Sequence, residues 1–371
     1  MRVLRPDSRK GIITAHRPHM QAGGPTKQYK KPNESLRRLD SLLQGAKLNI
    51  CIIRSTGGIG DVLMTLPTVR AIKKKYDCVL TYATDYNYLN GALLKTVQGN
   101  PYIDNIINWG DIVASDYDAM IDLTCPCIVH EKPKAIPINR IDLFARHAGV
   151  QLESKKIDFK LREDELRWGK EYIQHRKLAG KKIILVQPFS SSQRRDSPVA
   201  TLRNALAGIL TVRKDIGVIV LTHGTDSSVQ DWKYSEIVQV HNLDIRQIGA
   251  VMQHCNLVLC PDSSVLHLAG ALGKPTVSLF GPTDPRARVN HYSKAIAIWP
   301  GGRLACSPCW YDQTTQCGSV CWKMVTPEMI LETVIEALSG RVSPKDFLVF
   351  SNDMNSSGEN FIGPQGEYEL L

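Results

Sequence analysis

The chain has 371 residues, 43% of them hydrophobic and 22% charged, with a formal net charge of +10 at neutral pH. That length exceeds one ordinary core and predicts two domains, while the composition excludes a collagen-like, low-complexity or membrane-embedded chain. No apolar run is long enough to span a bilayer and no signal-peptide pattern opens the sequence, so a cytoplasmic location is expected, with peripheral contact to the inner membrane left open.

The charge is concentrated at the start. Residues 1–47 hold eleven Lys and Arg against three Asp and Glu, which leaves a surplus of only two positive charges for everything after them. Gly23-Gly24-Pro25 and Lys30-Lys31-Pro32 break this segment, and apolar periodicity begins only at Leu36 and Leu39. A mobile arm is predicted, either a solvated tail or a contact to DNA, anionic lipid or another polyanion. Ten cysteines in a chain with no secretion signal argue against a disulfide framework.

Residues 47–54 predict the first strand. A glycine-rich loop follows over 55–61, with Gly57, Gly58 and Gly60. Residues 62–75 then predict a helix, Val62, Leu66, Val69 and Ile72 on one side, despite Pro67. Such a loop at the carboxyl end of a strand lets backbone approach a ligand, although Gly57-Gly58-x-Gly60 lacks the dinucleotide-binding spacing. Asp61 reads either as a helix cap or as a functional carboxylate. Strands over 79–83, 103–107 and 119–123 and helices over 89–96 and 139–148 continue the α/β pattern, with Gly149 as a stop. Cys125-Pro126-Cys127 reads as structural.

Residues 162–177 predict a long charged helix and 179–182 a hinge between domains. A second sheet opens at 183–187. Its following loop, 188–198, carries hydroxyls, Ser191 among them, and the guanidinium groups of Arg194 and Arg195. After the strand at 216–222, the His223-Gly224-Thr225-Asp226 loop is placed beside a nucleoside. A helix over 245–254 precedes the strand 256–260, which Pro261 ends. Asp262 or Ser263 is then positioned to cap a helix carrying His267, stopped by Gly273 before a strand over 276–280. Amides at that helix start, beside the hydroxyls of Ser263 and Ser264 and the imidazole of His267, suit a phosphate. Farther on, Cys306, Cys309, Cys317 and Cys321 have spacings that allow tetrahedral zinc or iron, disulfides or free thiols. A last helix runs from Thr326-Pro327-Glu328 to Leu338, ahead of a polar tail.

Two stretches resemble the paired signatures of glycosyltransferase family 9, heptosyltransferase-like enzymes of the GT-B fold. The first is Gly58-Ile59-Gly60-Asp61-Val62-Leu63-Met64-Thr65-Leu66-Pro67-Thr68-Val69-Arg70-Ala71-Ile72-Lys73-Lys74. The second is Asp262-Ser263-Ser264, His267-Leu268-Ala269, then Ala271-Leu272-Gly273-Lys274-Pro275-Thr276-Val277 and Leu279-Phe280-Gly281-Pro282-Thr283-Asp284-Pro285. The resemblance implies two Rossmann-like domains with parallel sheets facing across a cleft. Its divisions are an arm at 1–47, an acceptor domain at 48–178, a nucleotide-sugar domain at 179–325, a helix at 326–340 returning to the first domain, and a mobile tail at 341–371.

By the same resemblance, an inverting, metal-independent enzyme would move a sugar, expected to be heptose, from an ADP-linked donor to a lipopolysaccharide-core or related glycan acceptor. Asp61 would be the general base, and His267 would hydrogen-bond or neutralise the diphosphate. Gly57, Gly58, Gly60, Ser191, Arg195, Asp262, Ser263 and Ser264 would complete the donor site. Two positions depart from the pattern: Arg195-Asp196-Ser197-Pro198 stands where the family has Lys-x-Trp-Pro, and Ser264 stands where glycine is common. Cysteine-rich tails occur in some members, and autotransporter heptosyltransferases carry an iron-binding finger with other spacings. A structural zinc or iron at Cys306, Cys309, Cys317 and Cys321 is therefore an expectation, with no cofactor for catalysis. Two alternatives stay open: the same fold acting on protein or modified DNA, and a non-catalytic nucleotide-sugar-binding protein.

Overall fold

The computed structural model describes residues 47–340 apart from 89, 125, 128–136, 177, 179, 223–226, 230, 231 and 311–316, together with 347 and 348. Residues 1–46 of the expected arm, most of the tail, Cys125 and the loop placed beside a nucleoside lie outside the described residues.

The first unit begins with β1 (Leu48–Arg54), an almost continuous apolar run suited to a strand covered on both faces. There follow α1 (Ile59–Lys75), β2 (Cys78–Thr84), α2 (Ala92–Val97), β3 (Asn105–Asn108), β4 (Ala119–Asp122) and α3 (Arg140–His147). The strands order as β3-β2-β1-β4, all parallel, with Leu48 opposite Cys78 and Ile50 opposite Ala119. Helix α1 starts earlier than its apolar periodicity predicts: Gly58 is the N-cap, so Gly60 and Asp61 belong to the first turn rather than to the loop. Every residue from Val62 to Arg70 is buried, which marks α1 as a central helix covered on all sides. The Asn139 side chain caps α3 by accepting from the Ile141 amide at 3.0 Å.

The second unit comprises α4 (Glu163–Gln174), β5 (Lys182–Val186), α5 (Val199–Val212), β6 (Ile216–Thr222), β7 (Ile237–His241), α6 (Ile245–Gln253), β8 (Leu257–Pro261), α7 (Ser264–Ala271), β9 (Thr276–Leu279), α8 (Arg286–Val289), β10 (Ala295–Ile298), α9 (Val320–Lys323), α10 (Pro327–Ser339) and β11 (Phe347–Leu348). Among the described residues these strands form a second parallel sheet, ordered β11-β10-β9-β8-β5-β6-β7. Helix α5 has no counterpart among the expected elements. Helix α10 starts as predicted, with Thr326 capping the Met329 amide, but does not return to the first unit. Its Ile330 and Val334 share a buried cluster with Leu202 and Leu206 of α5 and Val277 of β9, so its apolar face is consumed locally. Helix α4 lies flush on α6, where a Cβ at Gly169 would stand 2.4 Å from the Ala250 carbonyl oxygen.

The two units share one apolar body. A single buried cluster runs from Ile50 and Leu66 of the first to Val265, Leu266 and Val289 of the second. Each sheet reverses its winding once, between β1 and β4 in the first and between β5 and β8 in the second. Ligands of open parallel sheets bind outside the carboxyl ends of strands at such reversals. The loops after β1, β5 and β8, which the sequence picks out by their glycines, guanidinium groups and hydroxyls, are therefore brought to binding positions. Among the described residues no helix is long and apolar enough to cross a membrane.

Candidate functional site

Asp61 reaches its place through the tight entry to α1. Gly57 has φ +122°, and a Cβ there would meet Nη2 of Arg54 at 2.3 Å, so this glycine supplies both the backbone conformation and the space that the guanidinium occupies. Arg54, the buried last residue of β1, donates to the carbonyls of Leu123 and Thr124 after β4 and lies over the Phe144 ring. Its Nη2 stands 3.3 Å from one Asp61 carboxylate oxygen, which also accepts the Gly58 amide at 3.3 Å. The other oxygen pairs with Arg140 at the start of α3. Burial alone would raise the Asp61 carboxyl; Arg140 and Arg54, with Arg288 and His267 beyond them, hold it well below the usual range. Asp61 is thus not the helix cap, a place that Gly58 takes, but a partly buried first-turn carboxylate that accepts the Gly58 amide.

Across the cleft, Asp262 directly follows β8 and is 2% exposed. It does not cap α7: Ser263 is the N-cap, and neither side chain bonds the first-turn amides. The carboxylate instead faces Arg195 at 3.2 Å and Arg288 at 3.5 Å. Against the upward effect of burial, these guanidinium groups hold its carboxyl well below the usual range. Arg195 also donates to the Ser191 hydroxyl at 2.8 Å and lies 4.5 Å from the Trp310 ring centroid, so its planar group is fixed on several sides. Nε of Arg195 and the Ser263 hydroxyl beside Asp262 are buried with no hydrogen-bond partner, and the Asp262 oxygens have ion-pair contacts but no hydrogen bond. Native interiors leave few such groups, and polar atoms so placed suit a polar ligand.

His267, on α7, joins the halves. A Cβ on Gly60 would stand 2.3 Å from the imidazole Cδ2, so the glycine of α1 is what lets the ring lie against the first unit. Its Nδ1 is 2.7 Å from the Tyr292 hydroxyl, and its Nε2 is 3.8 Å from Asp262, beyond a hydrogen bond. Burial lowers the imidazole below its ordinary value of 6.5 despite the opposing effect of Asp262. A lowered pKa favours the uncharged ring, which can hydrogen-bond through either nitrogen. Ser264 opens α7 and is partly exposed.

Arg54, Arg140, Arg288 and Tyr292 contact the candidate site residues and are ones that the sequence reading did not assign. Arg54 had a signal, as a charge closing an apolar strand.

The cysteines do gather. Burial pushes the Cys321 thiol up to about 11, with Cys309, Cys317 and Cys306 adding to the effect. Among the described residues, however, no group of three or more His, Cys, Asp or Glu is arranged to hold a metal ion. These thiols in their present arrangement do not fit the expected zinc or iron. Their visible role is structural: Arg194 donates to the carbonyls of Cys309 and Trp310, tying this segment to the Arg195 loop.

The model of glycosyltransferase family 9 (heptosyltransferase) matches residues 128–318, a span that includes His267 and Arg195 but begins after Asp61. Three solved structures illustrate the likeness of fold. A family 9 glycosyl transferase from Veillonella parvula is 16% identical with a TM-score of 0.61, covering 79% of this chain and 97% of its own. The ADP-heptose lps heptosyltransferase II of E. coli is 14% identical with a TM-score of 0.59, covering 79% and 99%. The iron-containing dodecameric glycosyltransferase TibC of enterotoxigenic E. coli H10407 is 13% identical with a TM-score of 0.55, covering 79% and 77%. No curated protein matches the sequence.

Proposed function

We propose that this chain, which belongs to glycosyltransferase family 9 and is a glycosyltransferase, transfers heptose from an ADP-linked donor, with inversion, to a lipopolysaccharide-core or related glycan. The acceptor hydroxyl attacks the anomeric carbon from the Asp61 side as the bond to the diphosphate breaks on the opposite side. Asp61 takes the hydroxyl proton, and the leaving diphosphate gathers charge that Arg195, Arg288 and the Nε2–H of His267 meet. In-line displacement of this kind inverts the centre. The donor sugar is bound in a cytoplasmic reaction that needs no catalytic metal in this scheme.

The observation that carries the proposal is that Gly60, the neighbour of Asp61 in the first unit, lies against His267 of the second, with each element at the reversal point of its own sheet. One adjustment is required: Arg140 occupies an Asp61 oxygen, so the acceptor must draw that guanidinium aside before the carboxylate can serve as base.

A panel of ADP-, GDP-, UDP- and TDP-sugars, with candidate acceptors, tests the scheme by mass-spectrometric detection of released nucleoside diphosphate. Release from the ADP-sugar, falling by about 10²-fold or more in Asp61→Asn and in His267→Ala, is expected. Release from a different donor would replace the nucleotide assignment, and undiminished turnover in Asp61→Asn would remove the base.

A further inference from the structure

We infer that Tyr292 is a positioning residue that fixes the ring orientation and tautomer of His267, so that Nε2 carries the proton and points it into the cleft. This deepens the proposed function and rests on the part given there to His267. The Tyr292 hydroxyl lies 2.7 Å from Nδ1, and the two rings meet edge to face with centroids 5.9 Å apart. Tyr292 is 6% exposed, and a Cβ on Gly270 would meet its ring at 2.7 Å, so the aromatic body is seated directly on α7 where the glycine leaves room. Burial raises the phenol far above its ordinary value, with Asp262 adding to the effect, so it remains protonated. A phenol that keeps its proton can donate to Nδ1. An accepting Nδ1 in a neutral imidazole leaves the hydrogen on Nε2, which stands 3.8 Å from Asp262 and 3.2 Å from where a Cβ on Gly60 would lie. A group developing negative charge in the cleft then meets a donor set in place before the reaction begins.

The test uses Tyr292→Phe, which keeps the seated ring and removes only the hydroxyl. In the full-length protein labelled with ¹⁵N-histidine, the His267 signals, identified by their loss in His267→Gln, should show a protonated Nε2 and a bare Nδ1. In Tyr292→Phe that single-tautomer pattern should be lost. Turnover of the nucleotide-sugar should fall about tenfold in kcat with KM for the donor unchanged. In His267→Gln, whose amide nitrogen offers a donor near the Nε2 position without needing Tyr292, adding Tyr292→Phe should cost nothing further. A parent protein with the proton on Nδ1, or an unchanged spectrum in Tyr292→Phe, would overturn the inference. Because the spectrum is read without substrate, it separates this failure from a failure of the transferase assignment, which would show as absent turnover beside the expected tautomer.

Discussion

As the proposed base, Asp61 would accept a proton while two guanidinium groups hold its oxygens. A base with so depressed a pKa is always ionised near neutrality but has little driving force for proton transfer. Arg54 is locked by two carbonyls, whereas Arg140 comes from a separate helix, so Arg140 is the partner that can be exchanged. Arg140→Ala should therefore raise the Asp61 pKa and move the acid limb of the kcat/KM profile to higher pH. The sign follows from the carboxyl being depressed in the folded chain: its stabilisation is present above the unfolded value of 3.8 and is lost as pH falls toward the folded one. In the variant the folded value lies nearer the unfolded one, so less of this stabilisation is present at pH 7 and less is lost on acidification; urea titrations at pH 4 and 7 should show the smaller gap in Arg140→Ala. At pH 7, Arg54 still pairs the carboxylate, so the cost of the substitution should be about 1–3 kcal/mol. An unmoved acid limb would mean that Arg140 does not tune this group.

At the scale of elements, the contact of α1 with α7 decides whether the two halves of the site meet. Gly60→Ala offers α1 about 0.5–1 kcal/mol of helix propensity, but its methyl would stand 2.3 Å from the His267 ring, and such overpacking costs about 1–3 kcal/mol. The clash should win in the closed arrangement, while an opened one keeps the propensity gain. Little change in melting temperature with at least about tenfold loss in kcat/KM is the expected outcome; equal losses in both would point to general misfolding. The elements most legible in the sequence were those whose signal is local. Residues 47–54, 216–222 and 256–260 read as strands because parallel strands covered on both faces are almost continuously apolar, and the observed strands lie within one residue of those bounds. The start of α1 was misplaced because Ile59 and Gly60 look like loop residues until burial is known. In the site, Asp61, Arg195, Asp262 and His267 stood out from motif and loop chemistry. Arg140 and Tyr292 did not, since they find their partners 79 and 25 residues away through packing alone.

For the whole molecule, the approach of the two units is secured by few polar contacts beside the apolar α1 and α7 surfaces. His291, just after α8, bonds Asp142 of α3 at 2.6 Å, and Asn139 donates to the Arg286 carbonyl at 3.3 Å. Lys95 of α2 reaches Asp244 before α6 at 2.8 Å. Asp142 is about one-third exposed, so its pairing contributes at most about 1 kcal/mol, and the chain as a whole should tolerate its loss. Closure is a more sensitive readout than stability, because a cleft that opens slightly admits water to compete with the acceptor. Asp142→Ala should therefore melt within a few degrees of the parent yet release more free sugar for each sugar transferred. A double-mutant cycle with His291→Ala locates the cause: if the pair acts as a latch, the second substitution adds little to the hydrolysis ratio of the first. Independent, additive increases would instead assign each side chain a separate effect on the cleft, and closure would then rest on the apolar contact with the Lys95–Asp244 and Asn139–Arg286 pairs.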